Sequence, residues 1–391
     1  MYSKTKLENV LELHRGYDLP ERERVDGNVP IISSSGYSGC HNEYKCDGEN
    51  VITGRYGTIG EVFFHEGKCW PLNTALYVSD YKGNYPKYIY YLLKYVLKLS
   101  IDGKDKSTVP GVDRNVLHQM NIPFCEDIYQ QKQLIKLLEN LDGRIKINKK
   151  INDNLAQQLR LLYDYWFTQF DFPDENGKPY RSSGGQMVWN EHLKHIIPQQ
   201  WHCAYLKDIL QPVGEPIDDA QSHKELYYTP IDIIPKRSIS FAGGLSSEEA
   251  NSSLQLYRKN NLLLGAMRVY FHRVCIAAQD GITRTTTMIL SPINGMNCLG
   301  YAYSVLNSDN TILYATCHSS GTQQPYINWT DALENYAFAM PDSKELIDKY
   351  SQIAAPLIEE AQKREQENLE LTTLRDWLLP MLMNGQATIS D

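Results

Sequence analysis

The sequence predicts an α+β protein: two similar globular α/β domains in tandem, separated by two long coiled-coil helices, the whole arranged as a pseudo-twofold repeat. Three observations predict it. From Ile128 to Phe167, Leu134, Leu138, Leu141, Ile145, Asn148, Asn152, Leu155, Leu159, Leu162 and Trp166 succeed one another at fours and threes. That is the spacing that turns one stripe of a helix toward a partner helix. Near the chain's end, Leu346, Tyr350, Ile353, Leu357, Glu360, Arg364, Glu367, Leu371, Leu374, Leu378 and Met381 do the same. The third observation is an echo between the two segments that precede these stripes.

A solitary helix of about 40 residues extends roughly 60 Å and cannot bury such a stripe alone. The second stripe supplies the partner, and both have apolar ends and a polar middle. Asn148 and Asn152 fill the middle of the first; Glu360, Arg364 and Glu367 fill that of the second. Polar groups in a seam cost stability and fix register. Gly143 is the weak link of the first helix. In the second, Pro356 should kink or delay the helix, at about 3 kcal/mol if it falls mid-helix, and Pro380 should end or bend it.

Residues 1–125 form the first globule. Val29–Ile32 and Glu49–Thr53 read as strands, Ser33–Gly36 as a turn, and Tyr88–Leu99 as an amphipathic helix. Residues 126–170 carry the central helix, and 171–199 form an ordered linker rich in turn formers. Residues 200–341 are the second globule and 342–391 the distal helix. The echo is ordered: Leu206–Leu210 matches Leu7–Leu11, Asn261–Gly265 matches Asn50–Gly54, Thr285–Thr287 matches Asn73–Ala75, and Gly321–Pro325 matches Ser107–Pro110, at offsets that drift from 199 to 215 residues and reach 218 at the long helices, Leu346 against Ile128. Shared order at a shared interval marks an internal repeat.

With 391 residues, two cores are expected. The eight cysteines form no C-x-x-C pair, and Cys40, His41, Cys46 and Cys69 match no zinc spacing, so buried reduced thiols and a cytoplasmic location are expected. No signal-peptide pattern opens the chain, and the apolar run near Leu262–Met267 is too short to cross a bilayer. The net charge is −8. Residues 1–124 are charge-balanced and residues 200–341 are net negative. Phosphate neutralisation dominates non-specific affinity for nucleic acid, so a nucleic-acid binder of this charge works weakly alone or beside a basic partner.

Catalytic and metal motifs are missing. There is no Walker lysine loop, no glycine fingerprint opening a helix, no D/N-P-P-Y/F and no H-E-x-x-H. Gly54–Gly60 is glycine-rich but lacks the G-K-[ST] ending and leads into a strand, so it reads as a tight turn. Asp342-Ser343-Lys344 has the D-x-K form that metal-dependent nucleases use, but at a helix start after Pro341 it reads better as a cap.

Side chains suited to base or phosphate contact lie on loops of both globules. The candidates in the first are Arg15, Tyr17, Arg22, Arg24, Ser34, Tyr37, Arg55, Lys104, Lys106 and Thr108. In the second they are Lys236, Arg237, Arg268, Arg273, Arg284, Ser319, Thr322, Gln323 and Gln324.

Three stretches carry a resemblance: Phe170–Gly185, above all Asn176-Gly177-Lys178-Pro179-Tyr180-Arg181-Ser182-Ser183-Gly184-Gly185; Gly54–Gly60 with Trp70-Pro71-Leu72-Asn73-Thr74; and Thr373-Leu374-Arg375-Asp376-Trp377-Leu378-Leu379-Pro380. Through them the chain resembles the specificity subunit of type I restriction–modification systems along nearly its whole length. The resemblance implies two target recognition domains that each read half of a bipartite double-stranded DNA site, and two antiparallel conserved helices between them. It further implies two methylation subunits carrying S-adenosylmethionine, with no cofactor in this chain, and two restriction subunits in the full assembly. The helices then act as a ruler for the spacer within the DNA target. Tyr165, Phe167, Trp377 and Met381 are candidates for partner contact, with packing inside the bundle as the other account of them. A stand-alone nuclease using the D-x-K triplet and a protein-only coiled-coil scaffold are the rival readings.

Overall fold

A computed structural model describes residues 2–55, 60–102, 113–251 and 253–387. The chain divides into two compact units, Met1–Arg144 with Leu371–Asp391, and Ile145–Glu370. Both long helices are shared between the units.

In the first unit the elements run β1 (Tyr2–Lys6), β2 (Glu12–Arg15), β3 (Val29–Ser33), β4 (Gly36–His41), β5 (Glu49–Gly54), β6 (Val62–Glu66), β7 (Trp70–Pro71), β8 (Ala75–Asp80), α1 (Pro86–Asp102), α2 (Arg114–His118) and β9 (Asn121–Cys125). The helix α3 (Ile128–Tyr163) follows, with Asp127 accepting the Tyr129 N–H at 2.8 Å at its start. The main sheet has the order β2-β8-β5-β6 and is antiparallel throughout. A smaller sheet runs β4-β3-β7, and β1 pairs with β9. Val51, Leu76 and Leu92 share a core with Leu134, Ile135 and Leu138 of α3 and with Leu379, Leu382 and Met383.

The second unit continues with β10 (Met187–Asn190), β11 (His195–Pro198), β12 (Trp201–Tyr205), β13 (Leu210–Pro212), β14 (Glu215–Ile217), β15 (Tyr227–Tyr228), β16 (Ser240–Phe241), β17 (Leu254–Tyr257), β18 (Leu262–Gly265), β19 (Val274–Ala277), β20 (Gly281–Arg284) and β21 (Thr287–Pro292). Helices α4 (Leu299–Leu306) and α5 (Asp309–Cys317), strand β22 (Ala337–Pro341) and the long helix α6 (Lys344–Met383) close the list. Its main sheet runs β13-β21-β18-β19-β16, beside a sheet ordered β14-β17-β20-β15, and β12 pairs with β22.

The repeat expected from the sequence is present in the topology. Strands β13-β21-β18-β19 reproduce β2-β8-β5-β6 in order and antiparallel sense. Terminal pairs match too: the Leu7 N–H donates to the Met120 carbonyl at 3.0 Å, and the Leu206 N–H to that of Tyr336 at 3.1 Å.

The helices pair as antiparallel partners within each unit. In the second, Asn148 Nδ2 donates to Glu367 at 3.0 Å, Asn152 Nδ2 to Glu365 at 2.5 Å, and the Tyr350 hydroxyl to the Leu159 carbonyl at 3.5 Å. In the first, Asp142 meets Arg375 at 2.8 Å. The α3 seam is the predicted one, with Leu155 and Leu162 half-buried and its other members buried. A π-type turn over Asp164–Thr168 prolongs the helix past Tyr163.

The α6 stripe departs from expectation by one residue. Ile347, Ala354, Ile358, Ala361, Asn368, Leu379 and Leu382 are buried, whereas Ile353 and Leu374 are exposed. Only Tyr350 belongs to both sets. The cause is that α6 is packed on more than one side. A Cβ on Gly300 of α4 would come within 2.6 Å of the Ala354 Cβ, and Gln362 Nε2 donates to Asn260 at 2.9 Å. Small and polar residues therefore occupy buried positions that a count of leucines passes over. Pro356 does not end α6; it faces solvent, where water can satisfy the carbonyl it leaves unbonded. Pro380 does not end it either, since the helix continues to Met383.

Candidate nucleic-acid interface

In the first unit the segment Trp70–Thr74 gathers candidate residues distant in sequence. The Tyr17 N–H donates to the Pro71 carbonyl at 2.8 Å, the Ser34 N–H to Thr74 Oγ1 at 3.3 Å, and the Arg55 N–H to the Thr74 carbonyl at 2.9 Å. Arg15 Nε donates to the Asn73 carbonyl at 3.2 Å. The Tyr17 ring stacks on Tyr77 at 5.9 Å, their hydroxyls 2.8 Å apart, and meets Trp70 edge-on. Lys45 Nζ lies 4.6 Å from the Trp70 ring centroid and 5.6 Å from that of Tyr17. The result is an aromatic platform with a cation above it, suited to phosphate contact and to stacking.

A second group lies along the edge strand β4. Tyr37 is exposed, with its hydroxyl 3.1 Å from His65 Nδ1, and Arg24 Nη1 donates to the Ser38 carbonyl at 2.9 Å. Arg22 points to solvent beside Glu23. Lys104, Lys106 and Thr108 lie outside the described residues.

The second unit repeats one bond of this frame at the corresponding place. The Ala266 N–H donates to the Thr286 carbonyl at 2.9 Å, the counterpart of the Arg55–Thr74 bond. The turn between β18 and β19 then rises as a single 3-10 turn, Val269–Phe271, between Arg268 and His272, both left-handed with φ of 50° and 55°. That conformation costs a side-chain-bearing residue of order 1 kcal/mol or more unless its surroundings enforce it. Here they do. The Arg268 N–H donates to the Pro325 carbonyl at 2.7 Å and its Nη2 to that of Gln323 at 3.3 Å. Arg273 Nη1 donates to the Asp232 carbonyl at 2.7 Å and also to that of Ile234. His272 Nε2 lies 2.8 Å from Asn307 Oδ1, and burial holds its pKa below the ordinary histidine value, which keeps the ring neutral.

This frame presents Tyr270, 50% exposed, and Phe271, 37% exposed, with Lys236 Nζ 4.7 Å from the Phe271 ring centroid. Arg237 reaches Asp309 at 2.8 Å. Thr322, Gln323 and Gln324 are exposed on the neighbouring loop, and Arg284 is exposed at the end of β20.

Several candidate side chains prove to hold the scaffold. The guanidinium of Arg273 binds two backbone carbonyls, and the Ser319 hydroxyl donates to the Ala315 carbonyl at 2.7 Å. Among the helix-end residues, Tyr165 and Trp377 are exposed and Met381 is half-buried. Phe167 is 6% exposed and stacks on Tyr163 at 5.3 Å, so core packing accounts for it. The D-x-K triplet acts as a cap. The Glu345 N–H donates to Ser343 Oγ at 3.2 Å, and Asp342 Oδ1 lies 2.5 Å from His202 Nδ1. No cluster of metal ligands occurs among the described residues, and no helix among them is long and apolar enough to cross a membrane. Sequence reasoning missed Lys45, Tyr77, Tyr270 and Phe271. The signal for the last two was an aromatic pair between two apolar strands, which strand periodicity absorbs.

Residues 2–157 match the family model described as the type I restriction modification DNA specificity domain. This part of the chain is similar to the specificity domain that the model describes. The resemblance read from the sequence extends beyond it. The type I restriction enzyme MjaIX specificity subunit of Methanocaldococcus jannaschii is 23% identical over 318 residues, covering 78% of this chain and 70% of that protein. The type I restriction enzyme HindI specificity subunit of Haemophilus influenzae is 21% identical over 321 residues, covering 68% of each. The S subunit of a type I restriction–modification system from M. genitalium shares the fold, with a TM-score of 0.52 at 17% identity over 100% of this chain and 97% of that one. The specificity-domain match ends at residue 157, and the second unit repeats the order of the first unit's main-sheet strands.

Proposed function

We propose that this chain is the DNA sequence-recognition subunit of a type I restriction–modification complex and is itself non-catalytic. Each globular domain reads one half of a bipartite target. The paired helices set the spacer length and dock two methylation subunits, which bring S-adenosylmethionine, and two restriction subunits complete the assembly. The observation that carries this reading is the duplicated frame: the Arg55–Thr74 and Ala266–Thr286 bonds recur at the same point of two sheets of matching strand order, each with a loop cluster nearby. Each cluster combines exposed aromatic rings with cationic side chains, the pairing that contacts bases and backbone together.

The charge balance supports the dependence on partners. A chain of net charge −8 gains little from phosphate neutralisation, so tight binding is expected only in the complex. The test is methylation mapping of host DNA with and without the gene, joined to footprinting of the assembled complex. The expected result is one bipartite motif with two protected half-sites. Methylation unchanged by loss of the gene, or a complex that protects no bases, overturns the reading.

A further inference from the structure

Cys46 and Cys69 stand directly opposite one another across an antiparallel bridge. The Cys46 N–H donates to the Cys69 carbonyl at 3.1 Å, and the Cys69 N–H returns to the Cys46 carbonyl at 2.9 Å. The Lys45 N–H donates to the same Cys69 carbonyl at 3.0 Å, so two residues of one strand oppose one of the other, a β-bulge. Residues that exchange both backbone bonds have Cα atoms about 5.5 Å apart, inside the span of about 4.4–6.8 Å that a disulfide bridges. Both cysteines are free thiols; Cys69 is fully buried and Cys46 half-buried.

We propose that Cys46 and Cys69 form a modification site, a dithiol that a low-molecular-mass disulfide converts to an intrachain disulfide. The interaction between the two thiols lowers the pKa of Cys46 and, together with burial, raises that of Cys69. Cys46, half-buried where Cys69 is fully buried, is the thiol a small disulfide can reach and so the attacking group. Its thiolate displaces one thiolate from glutathione disulfide and forms a mixed disulfide. Cys69, on losing its proton, attacks the Cys46 sulfur and releases the second glutathione. Two cysteine thiols give up two electrons and two protons, and one glutathione disulfide becomes two glutathione thiols.

The position gives the modification a consequence. Cys69 immediately precedes the Trp70–Thr74 segment that carries Tyr17, Ser34 and Arg55, and Cys46 follows Lys45, whose ammonium lies over Trp70 and Tyr17. A covalent link joins the two strands that hold this platform.

The test treats the full-length protein with glutathione disulfide, blocks free thiols and maps peptides without reduction. The expected product joins the Cys46 and Cys69 peptides, two hydrogens lighter than the dithiol. It is absent from Cys46→Ser and Cys69→Ser, retained in Cys40→Ser, and reversed by dithiothreitol. A Cys46 that stops as the glutathione adduct, or that pairs with Cys40, overturns the proposal. So does wild-type protein in which both thiols stay free.

Discussion

Arg375 on α6 and Asp142 on α3 meet with Nη1 and Oδ1 2.8 Å apart, both side chains about three-quarters buried. The Tyr91 hydroxyl donates to the other carboxylate oxygen at 2.7 Å, so one carboxylate ties the long helices of the first unit to α1. Removing one partner of such a pair strands a buried charge. Asp142→Ala takes the acceptor from both Tyr91 and Arg375, leaving Arg375 only the half-exposed Asp376, and should lower stability by about 2–3 kcal/mol, below the range for a fully buried pair; Arg375→Ala should cost less, because Tyr91 still donates to the carboxylate. In a double-mutant cycle by thermal or urea unfolding, the two losses should be sub-additive. Strict additivity would show that the pair contributes nothing.

Glu365 accepts from Asn152 in the second unit, and burial raises its carboxyl above the ordinary glutamate value. The folded state thus holds the proton more tightly than the unfolded chain. This contribution to stability is greatest at acid pH and declines as pH rises through the raised value. Glu365→Gln keeps an acceptor for Asn152 and removes the decline. The variant should melt higher than wild type at pH 7, and the two should converge near about pH 4. Melting curves that run parallel across that interval would contradict the assignment.

Tyr270 and Phe271 are presented, whereas Arg273 supports. Tyr270→Ala and Phe271→Ala should leave the melting temperature within about 1 °C of wild type while weakening DNA binding by the assembled complex, by about 1–3 kcal/mol if a base stacks on the ring. Arg273→Ala leaves two carbonyls without their donor and should lower stability itself, by about 1–3 kcal/mol. Calorimetry beside a DNA titration at fixed salt separates the two patterns.

Gly300 faces Ala354 with no room for a side chain. Gly300→Val should force α4 off α6 and cost about 1–3 kcal/mol, the range for overpacking a filled core. Pairing it with Ala354→Gly should recover part of the loss in urea unfolding.

The contrast between the helices shows what one sequence makes legible. The α3 seam is readable because its buried face is mostly leucine, and the burial follows that face. On α6 the buried face includes Ala354, Ala361, Gln362 and Asn368, because a helix packed on several sides needs small and polar residues where neighbours approach closely. A leucine count therefore lands one residue early. The tandem repeat was legible since turn chemistry at Gly54 and Gly265, and the strands before them, leave local marks. The roles of Arg268, Arg273 and Ser319 were not. Arginine on a loop suggests a ligand contact, yet the acceptors for Arg268 and Arg273 lie about 40 to 55 residues away in sequence, and only the folded chain brings them near.

The turn between β18 and β19 separates what holds the loop from what the loop displays. Arg268, His272 and Arg273 secure two left-handed residues through backbone carbonyls and the Asn307 side chain, and none of those bonds involves the rings of Tyr270 and Phe271. Exchanging the two displayed residues therefore leaves the frame intact. A lineage can change what this tip touches by single substitutions, without passing through an unfolded intermediate sequence.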